Sequence, residues 1–235
     1  MLYYYGFDWT YVVIVLPCII IAMIASTRVN STFNRYSKHM SSRHITGADA
    51  AMRVLRANGV NNVRVEQVSG KLTDHFDPKT NVICLSDSVY SSTSTAAIGV
   101  ACHEAGHAVQ HAEQYAPIKL RTAIIPMTNI GSMLAMPLIL IGLLFSTTYE
   151  LVYIGIALFS LSLVFQLVTL PVEFNASRRA MEAIESAEIL SGDELKGAKK
   201  TLTAAAMTYV AAVAVSAAQL LRLIILFGGG GRRRD

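Results

Sequence analysis

Four apolar stretches limit what this 235-residue chain can fold into: residues 9–25, 122–146, 151–170 and 201–227. A helix needs about 20 apolar residues to cross the hydrocarbon core of a bilayer. In lipid every backbone N–H and C=O must be satisfied within the protein, so such stretches span as helices. The composition agrees. Hydrophobic residues make up 53% and charged residues 15%, against about 45–50% and about 25% in soluble domains. The expected fold class is a mainly α-helical, multi-pass membrane protein with about four transmembrane helices.

Charge sets the expected orientation. Residues 1–8 carry no Lys or Arg, which the n-region of a signal peptide should have, so 9–25 reads as a retained anchor. Arg28, Arg35, Lys38 and Arg43 follow it and place residue 28 onward in the cytoplasm. The link at 147–150 is short, so the second and third stretches form a membrane hairpin. The chain then returns to the side of Arg178, Arg179, Lys196, Lys199 and Lys200. The fourth stretch reads as a span, although it contains Arg222 and leads to a tail ending Arg232-Arg233-Arg234 on the side the charge bias disfavours. The net charge of +4 reflects a basic cytoplasmic face towards anionic lipid, and no nucleic-acid partner is expected. Cys18, Cys84 and Cys102 are odd in number and fit no metal-site spacing, which favours a reducing compartment.

A small α+β unit is expected between the first two stretches. Residues 46–58 read as an amphipathic helix capped by Thr46, with Asp49 in its first turn and Asn58-Gly59 at its end. Residues 60–68 alternate as a strand. Residues 72–76 and 82–85 flank Asp77-Pro78-Lys79-Thr80-Asn81 as a hairpin. Ser91, Ser92, Thr93 and Ser94 are N-cap candidates for a helix that runs to about Glu113.

That helix carries His103-Glu104-Ala105-Gly106-His107, the H-E-x-x-H spacing. Residues four apart stand one above the other on a helix, so both imidazoles can grip one Zn²⁺ from the same side. Glu104 is turned off the ligand face, where it can take a proton from water and pass it to a leaving amine. Gly99 and Gly106 permit close approach of a neighbouring strand or of substrate backbone, or simply tight packing. A catalytic zinc site keeps three protein ligands and an open fourth position. His111 is excluded as the third, because His103 and His111 lie about 12 Å apart along the axis. The H-E-x-x-H-x-x-G-x-x-H pattern is also excluded, with Gln110 and Glu113 at the positions of its Gly and last His. Glu173, at the cytoplasmic end of the third stretch, is a candidate ligand; it could equally be an interfacial acid at a helix N-terminus.

Several segments together resemble the neutral zinc metallopeptidases of bacterial membranes, the YugP-type family. They are Leu72-Thr73-Asp74-His75-Phe76-Asp77-Pro78, Leu85-Ser86, Val100-Ala101-Cys102-His103-Glu104-Ala105-Gly106-His107-Ala108-Val109-Gln110, and Thr169-Leu170-Pro171-Val172-Glu173-Phe174-Asn175-Ala176-Ser177-Arg178-Arg179-Ala180. The layout is also similar to the wider membrane gluzincins, which place H-E-x-x-H, two spans, then E-x-x-x-D on a helix. The resemblance implies a cytoplasmic zincin-like α+β unit with His103, His107 and Glu173 as zinc ligands and Glu104 as catalytic base. Ser177 stands where the wider group has an Asp that orients a zinc-binding His. A serine can accept the same hydrogen bond but brings no charge.

The expected organisation is a transmembrane anchor at 1–27, the zincin-like unit at 28–121, a transmembrane hairpin at 122–170, a cytoplasmic helix at 171–200 carrying Glu173, a fourth transmembrane helix at 201–227 and a Gly/Arg tail at 228–235. The expected activity is zinc-dependent hydrolysis of peptide bonds at the cytoplasmic face of the bacterial cell membrane. Partners would be peptide or protein substrates, membrane proteins among them, and lipid. The oxyanion of acyl transfer needs a donor besides the metal; His75 is the first candidate, then Arg178 and Tyr115. The strand at 82–85 could pair with an extended substrate. Two rival readings are a zinc-containing scaffold or pseudoprotease and a transporter. Chelator-sensitive turnover separates the enzyme from the scaffold. Few polar residues in the spans support a transport path.

Overall fold

The computed structural model describes residues 3–4, 7–70, 72–145 and 149–228. The expected tail from residue 229 and residues 147–148 of the link at 147–150 lie outside the described residues. The described chain is mainly helical, and four of its helices are long and apolar enough to cross a membrane. The chain divides into two compact units.

One unit holds Met1–Ile24, Leu120–Leu170 and Thr208–Asp235. It starts with two short antiparallel strands, β1 (Tyr3–Tyr4) and β2 (Phe7–Asp8), and a π-helical turn (Tyr11–Val15) leading into α1 (Leu16–Tyr36). It also includes most of α4 (Ala116–Leu144) and the first part of α5 (Tyr149–Ser186). Ile130, Met133, Leu144 and Ile154 are among the large apolar side chains exposed here, as expected where lipid is the solvent. Close backbone approach joins α4 and α5: a Cβ on Gly155 would stand 2.8 Å from the Ala135 carbonyl oxygen. The prolines Pro126 and Pro137 lie inside α4, which continues through both rather than being interrupted.

Arg222 lies in the second half of α6 (Gly192–Phe227). Its Nε donates to Asp8 Oδ2 at 2.7 Å, its Nη2 donates to the same oxygen, and its guanidinium lies 5.5 Å from the Tyr11 ring centroid. Asp8 Oδ1 accepts from the Thr10 hydroxyl and the Tyr11 amide. A cation in an apolar helix is tolerated when paired inside the protein. Removing one member strands the other. Arg222→Leu and Asp8→Asn should therefore be non-additive in thermal unfolding in detergent, with a coupling of about 1–3 kcal/mol. Simple additivity would show that the pair contributes nothing.

The other unit holds Ala25–Lys119 and Pro171–Met207. α2 (Gly47–Ala57) is capped as expected: Thr46 Oγ1 accepts from the Asp49 amide at 3.1 Å and donates to its carboxylate at 2.6 Å. Ala50, Ala51, Val54 and Leu55 form its buried face. Three strands follow: β3 (Arg64–Val68), β4 (His75–Asp77) and β5 (Val82–Ser86). The hairpin is present as β4 antiparallel to β5, but β3 pairs with β5 in parallel, giving the order β3-β5-β4. This corrects the expectation that 82–85 could take a substrate strand, because β5 is central and both its edges are already bonded. α3 (Thr95–Ala112) packs against α2, β4 and β5. Ile83, Leu85, Ile98, Val109 and Ile184 are among the buried side chains of this core. The helix expected to start near residue 172 is instead the continuation of α5 through Pro171.

Candidate metal centre

Ser94 is the cap that starts α3, its Oγ accepting from the Ala97 amide at 3.2 Å. From that start His103 and His107 fall one turn apart on one face, with ring centroids 4.7 Å apart and planes at 81°. Glu173 on α5 comes to the same place. Its Oε2 lies 3.3 Å from His103 Nε2 and 3.5 Å from His107 Nε2. The three donor atoms all lie within 4.8 Å of one another, and Glu173 is only 3% exposed.

The close approach of α3 and α5 depends on Gly106. A Cβ there would stand 2.7 Å from the Ala176 carbonyl oxygen, which is backbone and cannot swing aside. The neighbour that demands this glycine is the α5 backbone, not a strand or a substrate. Gly106→Ala should push the helices apart and weaken zinc binding by about 10-fold or more, since outer-sphere misplacement alone costs about 10–100-fold. Chelator competition measures it, and parental affinity would show that the approach is not needed.

Each imidazole is held from behind. Ser177 Oγ lies 3.1 Å from His103 Nδ1, and Gln110 Oε1 lies 3.1 Å from His107 Nδ1. Both Nε2 atoms therefore face Glu173. Burial by itself would raise the Glu173 carboxyl, which lies beyond the apolar stretch 151–170. The hydrogen bonds and charges of His103 and His107 outweigh burial and hold it far below the usual carboxylate range. Burial by itself would lower His107; the Glu173 hydrogen bond, then the charges of Glu104 and Glu173 and the Gln110 contact, raise it instead.

Two imidazole nitrogens and a carboxylate oxygen are the donor set of a His₂Glu catalytic zinc site. Tetrahedral ligands with bonds of about 2.0–2.1 Å stand about 3.3–3.4 Å apart, which the two acid–imidazole distances of 3.3 and 3.5 Å match, while the three donors together lie within 4.8 Å. The residues present thus fit zinc. Cys102 adjoins His103 in sequence but is fully buried, and burial pushes its thiol well above the ordinary value, so it remains a neutral thiol.

Glu104 is buried on α3. Its charge is felt at His107 and also at Asp74, just before β4. Asp74 accepts from the Ser86 amide at 2.7 Å and from the Ser86 hydroxyl at 3.0 Å. Burial pushes the Asp74 carboxyl up, these bonds oppose the rise, and the Glu104 charge adds to it. The other sequence candidates make different contacts. His75 Nδ1 lies 2.8 Å from the Thr73 carbonyl oxygen, Arg178 pairs with Glu182 at 2.7 Å, and Tyr115 lies under Arg179. His111 packs on the Phe76 ring, apart from the three donors. Sequence alone assigns no role to Asp74, Gln110 or Asn175. The i, i+3 spacing of His107 and Gln110 was the one local signal for any of them.

Comparisons with known proteins identify the family. The chain belongs to the family described as "Putative neutral zinc metallopeptidase", whose profile matches residues 11–228. It is also similar to "Putative membrane protease YugP" of Bacillus subtilis (strain 168), with 48% identity over 198 residues, 84% of this chain and 88% of that protein. No solved structure matches it.

Proposed function

We propose that this protein is a membrane-embedded zinc metalloendopeptidase that cuts peptide bonds at the cytoplasmic face of the bacterial membrane. One observation carries the reading: the donor atoms of His103, His107 and Glu173 converge within 4.8 Å, with Glu104 on the helix that carries the two imidazoles. The basic residues Arg178, Arg179, Lys196, Lys199 and Lys200 favour the cytoplasmic side for this unit. The zincin-like assignment and the 28–121 and 171–200 boundaries belong to the same proposal.

His103, His107 and Glu173 would hold the metal, and Ser177 would orient His103 through Nδ1. Zinc bound there supplies Lewis-acid polarisation of a carbonyl and lowers the pKa of water towards about 7. Glu104 accepts the proton of the attacking water and delivers it to the leaving amine. Enclosure of Glu104 on a packed helix fixes its position for both transfers. His75 is assigned to the oxyanion; the Thr73 carbonyl oxygen takes its Nδ1 hydrogen, so it would donate through Nε2 as the imidazolium. His75→Ala should lower kcat by about 10²–10³-fold with zinc content unchanged. Full activity in that variant would remove His75 from the role.

The test is hydrolysis of a mixed peptide library by the full chain purified in detergent. Cleavage should stop with a chelator and return with zinc. A zinc-loaded protein that never cleaves would favour the scaffold reading.

A further inference from the structure

Behind His107 lies a hydrogen-bond chain that peptide hydrolysis as described above does not use. Gln110 is completely buried (0% exposed), three residues past His107 on α3. Its Nε2 donates to the Val172 carbonyl oxygen at 2.8 Å and to Asn175 Oδ1 at 2.8 Å. Both amide hydrogens are thereby directed at oxygens. Asn175 Oδ1 is itself fixed as an acceptor, because Arg179 Nε donates to it at 2.7 Å. Arg179 is held in turn by Glu113 at 2.7 Å, and its guanidinium lies 6.0 Å from the Tyr115 ring centroid.

An amide with both N–H groups spent has its oxygen set in one direction. Turning it over would place Oε1 against two oxygens in a buried site, where unpaired polar groups are costly. Gln110 Oε1 therefore faces His107 Nδ1, and it can only accept. Neutral His107 must then carry its proton on Nδ1, leaving the Nε2 lone pair directed at the space shared with Glu173.

We propose that Gln110, locked by Asn175 and Arg179, is a positioning residue that holds His107 as its Nδ1-protonated tautomer, with Nε2 ready for a divalent cation. This rests on the reading of His103, His107 and Glu173 as a zinc centre. The two imidazoles are held differently. Ser177 can donate to His103 Nδ1 or accept from it, so it does not force a tautomer. Gln110 does.

Two measurements on the full chain in detergent test this. The first is ¹⁵N NMR of histidine-labelled, metal-free protein at alkaline pH, where the imidazoles are neutral. His107 should show the Nδ1–H tautomer, and Gln110→Met should turn it into a mixture. An Nε2–H tautomer in the parent, or no change in Gln110→Met, overturns the assignment. The second is zinc affinity by chelator competition. Gln110→Met, similar in length and volume, should bind zinc about 10–100-fold more weakly. Asn175→Leu removes the acceptor that locks the amide and should also weaken binding, whereas Asn175→Asp keeps an acceptor and should stay near the parent. Equal affinity for Asn175→Leu and Asn175→Asp also overturns the proposal. These two serve as well if Gln110→Met fails to fold. Because the tautomer measurement needs no metal, it decides the role of Gln110 even if the parent holds no zinc. That outcome would remove the zinc reading itself.

Discussion

Glu104→Gln should abolish peptide hydrolysis and leave zinc binding intact. The substitution keeps the size of the side chain and its place on α3, but an amide has no useful affinity for a proton. The two proton transfers assigned to Glu104 would both be lost, and general acid–base help alone is worth about 10²–10⁴-fold. Zinc content should not change, because Glu104 is not one of the three converging donors. The informative comparison is turnover against bound metal in the same preparation. Parental hydrolysis would dismiss Glu104 as the base. Lost metal would mean that its role is to hold the site together.

Glu173→Ala should have the opposite signature, losing the metal first and activity as a consequence. Glu173 contributes the only anionic donor of the three, and it is nearly fully buried between two imidazoles. Removing it leaves two neutral donors on one helix, too few for a catalytic site. The loss of zinc affinity should exceed the roughly 10–100-fold that outer partners of a ligand cost. Metal analysis after dialysis and chelator competition both read it. Zinc content equal to the parent would exclude Glu173 from the centre. Taken together, the two variants separate the proton-transfer role from the ligand role.

Much of the site is legible in local sequence because its parts are local. H-E-x-x-H needs only one helix, and the N-cap candidates at 91–94 announce its start, which the structure sets at Ser94. The caps of α2 and α3 and the turn around 77–81 follow from short-range hydrogen bonding, which residue type and spacing encode directly. The apolar stretches are readable because lipid allows few alternatives. What lies beyond reading are the pairings between distant residues. Asp8 and Arg222 are 214 positions apart, and Gln110 meets Val172 and Asn175 at separations of 62 and 65. No periodicity marks such partners. The parallel pairing of β3 with β5 also leaves no trace in the alternation of either strand, so the hairpin is predictable and the sheet order is not. Pro171 reads as a boundary, since proline removes a helical hydrogen bond. α5 nevertheless continues through it, and Glu173 and Ser177 share one run of helix one turn apart. Gly106 reads in the sequence only as a small residue permitting close approach or tight packing; the fold identifies the Ala176 backbone as its neighbour.

The most direct test of the central claim is X-ray absorption at the zinc edge of the purified, zinc-loaded chain. The account predicts two imidazoles and oxygen donors at about 2.0–2.2 Å, with no sulfur, and one oxygen donor fewer in any residual zinc of Glu173→Ala. A sulfur shell at about 2.3 Å, or zinc without imidazole, would contradict it.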